Sequence, residues 1–192
     1  MAKINLQENN SSSVKILEEG TYQAVISAAW DLGMQENTYL NETSMKHKIM
    51  FRFEINELIE DEGPFKGKRY NLLKEINVPE FFGDKAAMVA LASSAEGRTL
   101  TKDDFKNFDT DNLIGKNLMV ATGFTTGGKA KILSFSKLMK GLIPIVPELT
   151  PEMPSWVAEK AGTGALNNAS VSDLPPVEAY SAPSAPEDDL PF

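Results

Sequence analysis

The stretch from Lys46 to Asn56, KHKIMFRFEIN, alternates its side chains with a period of two. Successive side chains of a strand point to opposite faces, so His47, Ile49, Phe51, Phe53 and Ile55 go to one side and Lys46, Lys48, Met50, Arg52 and Glu54 to the other. The first set calls for a core; the second faces solvent or a ligand. The chain is thereby bound to a sheet with at least one buried face.

The other elements follow from punctuation around similar runs. Gly20 opens a loosely alternating run, Thr21 to Trp30, that predicts a first strand. A turn-rich piece, Glu60 to Gly67, leads to a third strand around Lys68 to Val78. Pro79 stops that strand and suits a first helical turn, after which Phe81, Lys85, Met88, Leu91, Ala92 and Ala95 recur at helical spacing until Gly97. Thr101 and Asp104 have the spacing of a capping box and predict a further short helical turn over 102–108. Strands at Asn117 to Phe124 and Lys129 to Met139 flank Thr125, Thr126, Gly127 and Gly128, whose glycines permit the positive φ of a tight hairpin. Three strands, a helix and two strands is the order of the OB fold, a partly open, five-stranded Greek-key barrel whose strand 2 and 3 face commonly binds oligonucleotides.

Composition changes near Pro144. The segment 144–192 is rich in Pro, Gly, Ala and Ser, and cannot recover its ordering entropy by burying apolar surface. The expected organisation is a flexible N-terminus (1–14), a mainly β, OB-type domain (15–143) and a disordered acidic tail (144–192). One island, Met153, Trp156 and Val157, is able to pack back on the body. Net charge is −8, yet residues 1–147 hold 18 Lys and Arg against 19 Asp and Glu, while residues 148–192 hold one against eight. A nearly neutral body remains free to gather its cations on one face.

Other classes are disfavoured. Cysteine is absent and His47 is the single histidine, which removes disulfides, thiolate metal sites and most nucleophilic or His-based catalysis. Glu60, Asp61 and Glu62 lie together in a turn, too few oxygens for a metal. No run is long and apolar enough to span a bilayer and the first residues are polar, so a cytoplasmic protein with no membrane partner, no cofactor and no enzymatic role is expected.

Two features carry a resemblance. The last six residues, Glu187, Asp188, Asp189, Leu190, Pro191 and Phe192, look like the acidic tip of bacterial single-stranded-DNA-binding proteins. The body, including GPFKGKRY (63–70) and DNLIGK (111–116), resembles single-stranded-DNA-binding proteins of bacteriophages. The resemblance implies a barrel that coats and protects single-stranded DNA during replication, recombination or repair, and a tip that docks on replication or recombination proteins. Homo-oligomers occur in such a setting. The rival reading is a protein-interaction adaptor whose tail mimics that tip.

Sequence-tolerant binding of single strands needs cations that track phosphates and rings on which bases stack. Lys46, Lys48 and Arg52 share a strand face. Phe65, Lys66, Lys68, Arg69 and Tyr70 interleave rings and cations within six residues. Lys129 and Lys131 follow the glycine turn, and Tyr39 stands in a polar loop. Trp30, in an alternating run with Tyr22 and Ile26, reads equally as a stacking platform or a core residue. Outward lysines are as often merely solvated, and Phe51, Phe53, Phe124 and Phe135 read as core.

Overall fold

The computed structural model describes residues 15–40 and 42–162, the side chain of Tyr39 excepted. Strands β1 (Gly20–Tyr39), β2 (Glu42–Leu58), β3 (Arg69–Asn77), β4 (Asn117–Phe124) and β5 (Ala130–Lys137) form one antiparallel sheet in the order β3-β2-β1-β4-β5. The helix α1 (Ala87–Glu96) falls between β3 and β4. The sheet is open, where the sequence led us to expect a partly open OB-type barrel: β3 and β5 are its edges, and among the described residues no ladder joins them. They nonetheless approach each other, because Lys74 Nζ on β3 donates to Ile132 O on β5 at 2.7 Å and lies 5.7 Å from the centre of the Phe135 ring.

The inner face is built by the alternation in β2. Ile49, Phe51, Phe53 and Ile55 are buried with Ile26, Leu91, Leu118 and Val120 in one cluster, and Phe53 stacks on Phe135 at 5.6 Å. β1 runs nine residues past its predicted end at 30, and β2 starts four residues before and ends two residues after its predicted span of 46–56. β1 manages this with two bulges, one between Ile26 and Ala28 and one between Asp31 and Gly33. At the second, Gly33 takes φ +64°, a left-handed conformation that glycine adopts without strain, and Asp31 Oδ1 accepts from its N–H at 2.7 Å.

The helix begins later than its periodicity suggests. Residues 79–86 are irregular with a single turn at 84–85, and Phe81 is 84% exposed rather than buried. Gly83 lies inside the expected first turns, where a helical glycine costs about 1 kcal/mol, and Ala86 is extended at ψ 136°. Met88, Val89, Leu91 and Ala92 supply the buried side, and Gly97 ends the helix in the left-handed region as expected. Residues 102–107 also form turns instead of a helix. There Asp104 accepts from the N–H and hydroxyl of Thr101 and pairs with Arg98. The guanidinium first, and then the two Thr101 donors, hold the Asp104 carboxyl far below the usual carboxylate range. The β4–β5 turn is as expected, with Gly128 at φ +73° donating to Thr125 O.

Beyond β5 the chain does not leave the body at 144. Residues 143–162 run across the outside of β1, β2 and β3 as a strap that ends in a helical segment, 155–162. The disorder expected of this stretch is thus corrected for 144–162, and the reason is a second small core. Val157, of the island expected to pack back on the body, is fully buried with Ala28, Trp30, Leu32 and Met50, which gives the segment its apolar anchor. The remainder of the tail, with the tip 187–192, lies outside the described residues, as does the N-terminal segment 1–14.

Candidate nucleic-acid interface

The outer face of β1–β2–β3 brings together three of the predicted site residues, Trp30, Arg52 and Arg69. By the register, Arg52 pairs with Ala28 and Met50 with Trp30. Trp30 reaches this face because of the bulge at Ser27. In an unbroken strand it would share the inner face of Tyr22 and Ile26, and the extra residue reverses the parity. The same bulge turns Ser27 Oγ toward Arg52, whose Nε donates to it at 2.9 Å. Arg52 then lies 5.2 Å over the Trp30 ring. Partial burial lowers the Arg52 pKa, though a guanidinium remains charged.

These donors all point at the strap's main chain. Trp30 Nε1 donates to Pro151 O at 2.9 Å, Arg52 to Thr150 O and Arg69 to Val146 O at 2.8 Å. Glu54, 1% exposed, receives the N–H groups of Glu148 and Leu149 at 2.8 and 3.0 Å. Its buried charge is balanced by Arg69, 3.8 Å away, which also pairs with Glu148 at 3.2 Å. At one end, Asn117 exchanges two hydrogen bonds with Ile145, both 2.8 Å, and Gln23 donates to Ile143 O. At the other, Gln35 donates to Lys160 O and Lys160 pairs with Glu75. The face is a cradle that grips an extended chain largely by its acceptors.

The remaining predicted residues distribute as follows. Lys46 lies on β2 and pairs with Glu80 at 2.9 Å, and Lys48 donates to Glu36 O. Phe65, Lys66 and Lys68 form the exposed β2–β3 loop, where Lys68 Nζ lies 5.6 Å over the half-exposed Phe65 ring and Lys66 pairs with Glu62. Arg69, next along, links this loop to the cradle. Tyr70 goes the other way and packs against the inner core. Lys129 and Lys131 are exposed in the β4–β5 hairpin. Lys131 stands near Lys74 at the seam between β3 and β5 rather than with Arg52, and helps burial to depress the Lys74 pKa. The strand position of Tyr39 is defined by pairing with Glu42, and its side chain lies outside the description.

Sequence reasoning missed Ser27, Glu54 and the strap. Glu54 had the right parity, and Met153, Trp156 and Val157 were noted, but nothing local says that a main chain lies between them. Among the described residues no group of His, Asp and Glu is arranged to hold a metal, and no helix is long and apolar enough to cross a membrane. Comparison with known protein families and with curated proteins found no match.

Proposed function

We propose that this chain binds single-stranded DNA along the outer face of β1–β2–β3, without enzymatic activity, and recruits partner proteins of DNA metabolism through the tip 187–192. The observation that carries the reading is the row of donors Trp30, Arg52 and Arg69 aimed at the carbonyls of an extended segment. Phosphate oxygens present the same kind of acceptor, more strongly. Lys66, Lys68 and Phe65 continue the row past the end of the strap-covered face, offering cations and a ring for stacking. The strand order, the helix between β3 and β4 and the approach of β3 to β5 support an OB-type barrel opened along one seam, and in OB folds this face is the usual oligonucleotide site.

On this reading DNA and the strap compete for one groove. The acidic strap residue Glu148 stands where phosphates would run, so displacement of the strap accompanies binding; Glu54, on β2, stays in the groove with Arg69 3.8 Å away. The adaptor alternative draws on the fact that the groove holds a peptide; it predicts no affinity for DNA. Electrophoretic shifts with single-stranded and double-stranded oligonucleotides at two salt concentrations separate them. Binding is expected for the single strand, falling with salt with a slope near −3 if Arg52, Lys66, Lys68 and Arg69 each neutralise one phosphate at about −0.7 apiece. Equal binding of both forms, or none, would remove the proposal.

A further inference from the structure

Among the described residues Glu54 is the one charged side chain that is fully buried. Along the strap it falls between Arg52, bonded to Thr150, and Arg69, bonded to Val146. A carboxylate repels phosphates, so a groove that held only a sugar–phosphate chain would have no use for it. What Glu54 does is accept. Its Oε2 takes the N–H of Glu148 at 2.8 Å and its Oε1 that of Leu149 at 3.0 Å, so the two oxygens meet two donors side by side. Arg69 Nη1 stands 3.8 Å from Glu54 Oε2 and donates to Val146 O at 2.8 Å. The two side chains together therefore engage one acceptor and two neighbouring donors.

One of the four DNA bases offers that pattern. The Watson–Crick edge of guanine runs O6, N1–H, N2–H: an acceptor followed by two donors, and paired donors suit the two oxygens of a carboxylate. Thymine sets its N3–H between two carbonyls, and adenine and cytosine place a lone pair next to their amine. Each of these three turns an acceptor toward the carboxylate. The edge is open to a protein in a single strand and is already paired in a duplex.

We propose that a strand displacing the strap is read here for guanine, with Glu54 accepting from N1–H and N2–H and Arg69 donating to O6. The strap then covers a base site as well as phosphate positions, its Val146 carbonyl and its Glu148 and Leu149 N–H groups standing in for the guanine edge. Arg69 Nη2, which pairs with the Glu148 carboxylate at 3.2 Å, is left for a neighbouring phosphate. The inference rests on the nucleic-acid reading of the groove and adds to it a preference for one base. It also gives the buried carboxylate a role in the strap-free groove, where a phosphate track alone gives it none.

The test measures fluorescence anisotropy of short labelled oligo-dT, unaltered or with one central guanine or inosine, titrated with the full chain. The guanine strand is expected to bind about tenfold tighter than the all-thymine strand, within the range that a bidentate base contact supplies. Inosine, which keeps O6 and N1–H but lacks the N2 amine, is expected to lose most of that gain. In Glu54→Gln the guanine and thymine strands are expected to bind alike. A guanine preference that survives this substitution overturns the proposal, because a residue that only anchors the strap shifts both affinities together. The inosine comparison uses the unaltered protein and so does not depend on how the variant folds; inosine as tight as guanine also overturns the proposal. Equal, saturable binding of the guanine and thymine strands removes the base preference and leaves the nucleic-acid reading standing, whereas binding of neither removes both. Free dGMP bound as tightly as the guanine strand would assign the site to a nucleotide and likewise overturn the proposal.

Discussion

On β2, Phe51 and Phe53 are enclosed by side chains of the sheet and of α1, whereas their neighbours Met50 and Glu54 are enclosed by a segment almost a hundred residues downstream. The inner face is held by apolar area. The outer face is held by hydrogen bonds between side chains and a borrowed main chain, with Val157 as the apolar anchor. Apolar burial is non-directional and permanent for the folded state. A polar cradle is exchangeable where it is made of donors: another chain of acceptors satisfies Trp30, Arg52 and Arg69, whereas Glu54 and Asn117 Oδ1 call for N–H groups. The two faces thus differ in kind: one makes the fold, the other is built to hold something.

The difference is open to direct attack, beginning with the inner face. Phe53→Ala is expected to cost about 3–5 kcal/mol and to unfold the whole sheet early in urea. The matching change outside, Glu54→Leu, leaves the N–H groups of Glu148 and Leu149 without acceptors and Arg69 without its buried partner. Its expected cost is about 1–3 kcal/mol, and its signature is local: faster amide exchange at 148 and 149 with unchanged protection along β2. If Glu54→Leu loosened the inner core as much as Phe53→Ala does, the distinction between the faces would be lost.

The smallest effect concerns the seam between the sheet's edges. Burial, and then Lys131, depress the Lys74 pKa in the folded state. Below that depressed value both states are charged and the fold carries the full desolvation cost; as pH rises through it toward the unfolded value of about 10.4, the cost is relieved. Stability should therefore rise slightly with pH across that window, by a fraction of the roughly 1.4 kcal/mol that one pKa unit represents, given the partial exposure of the group. Lys74→Met should abolish the rise in urea midpoints measured across it. A variant that keeps the same alkaline rise would show that the seam is not its source.

The inner face was legible because it follows from alternation alone: Ile49, Phe51, Phe53 and Ile55 could not be placed otherwise. The outer face was legible in its cations and not in its occupant. Lys46, Arg52 and Arg69 share it as their parity and loop positions implied, but Tyr70 faces the core, Lys131 stands at the seam and Lys129 is exposed in the β4–β5 hairpin. Trp30 shows why such assignments slip. Its side depends on the bulge at Ser27, and a bulge is a compromise between paired strands that no local pattern announces. The strap was legible only in its anchor, the island Met153, Trp156 and Val157, of which Val157 packs back on the body; the rest of its affinity resides in carbonyls and N–H groups, which every residue has.

The central claim is that DNA and the strap share one groove, and Trp30 is placed to report on it. In a Trp156→Phe background Trp30 is the only indole, because the chain has two tryptophans and Trp156 is half exposed. Oligo-dT should then produce a saturable change in Trp30 fluorescence, and adding Val157→Asp, which removes the strap's anchor, should tighten that binding severalfold while the inner core stays folded. A saturable change with the same affinity in both proteins, or no change in either, would contradict the account.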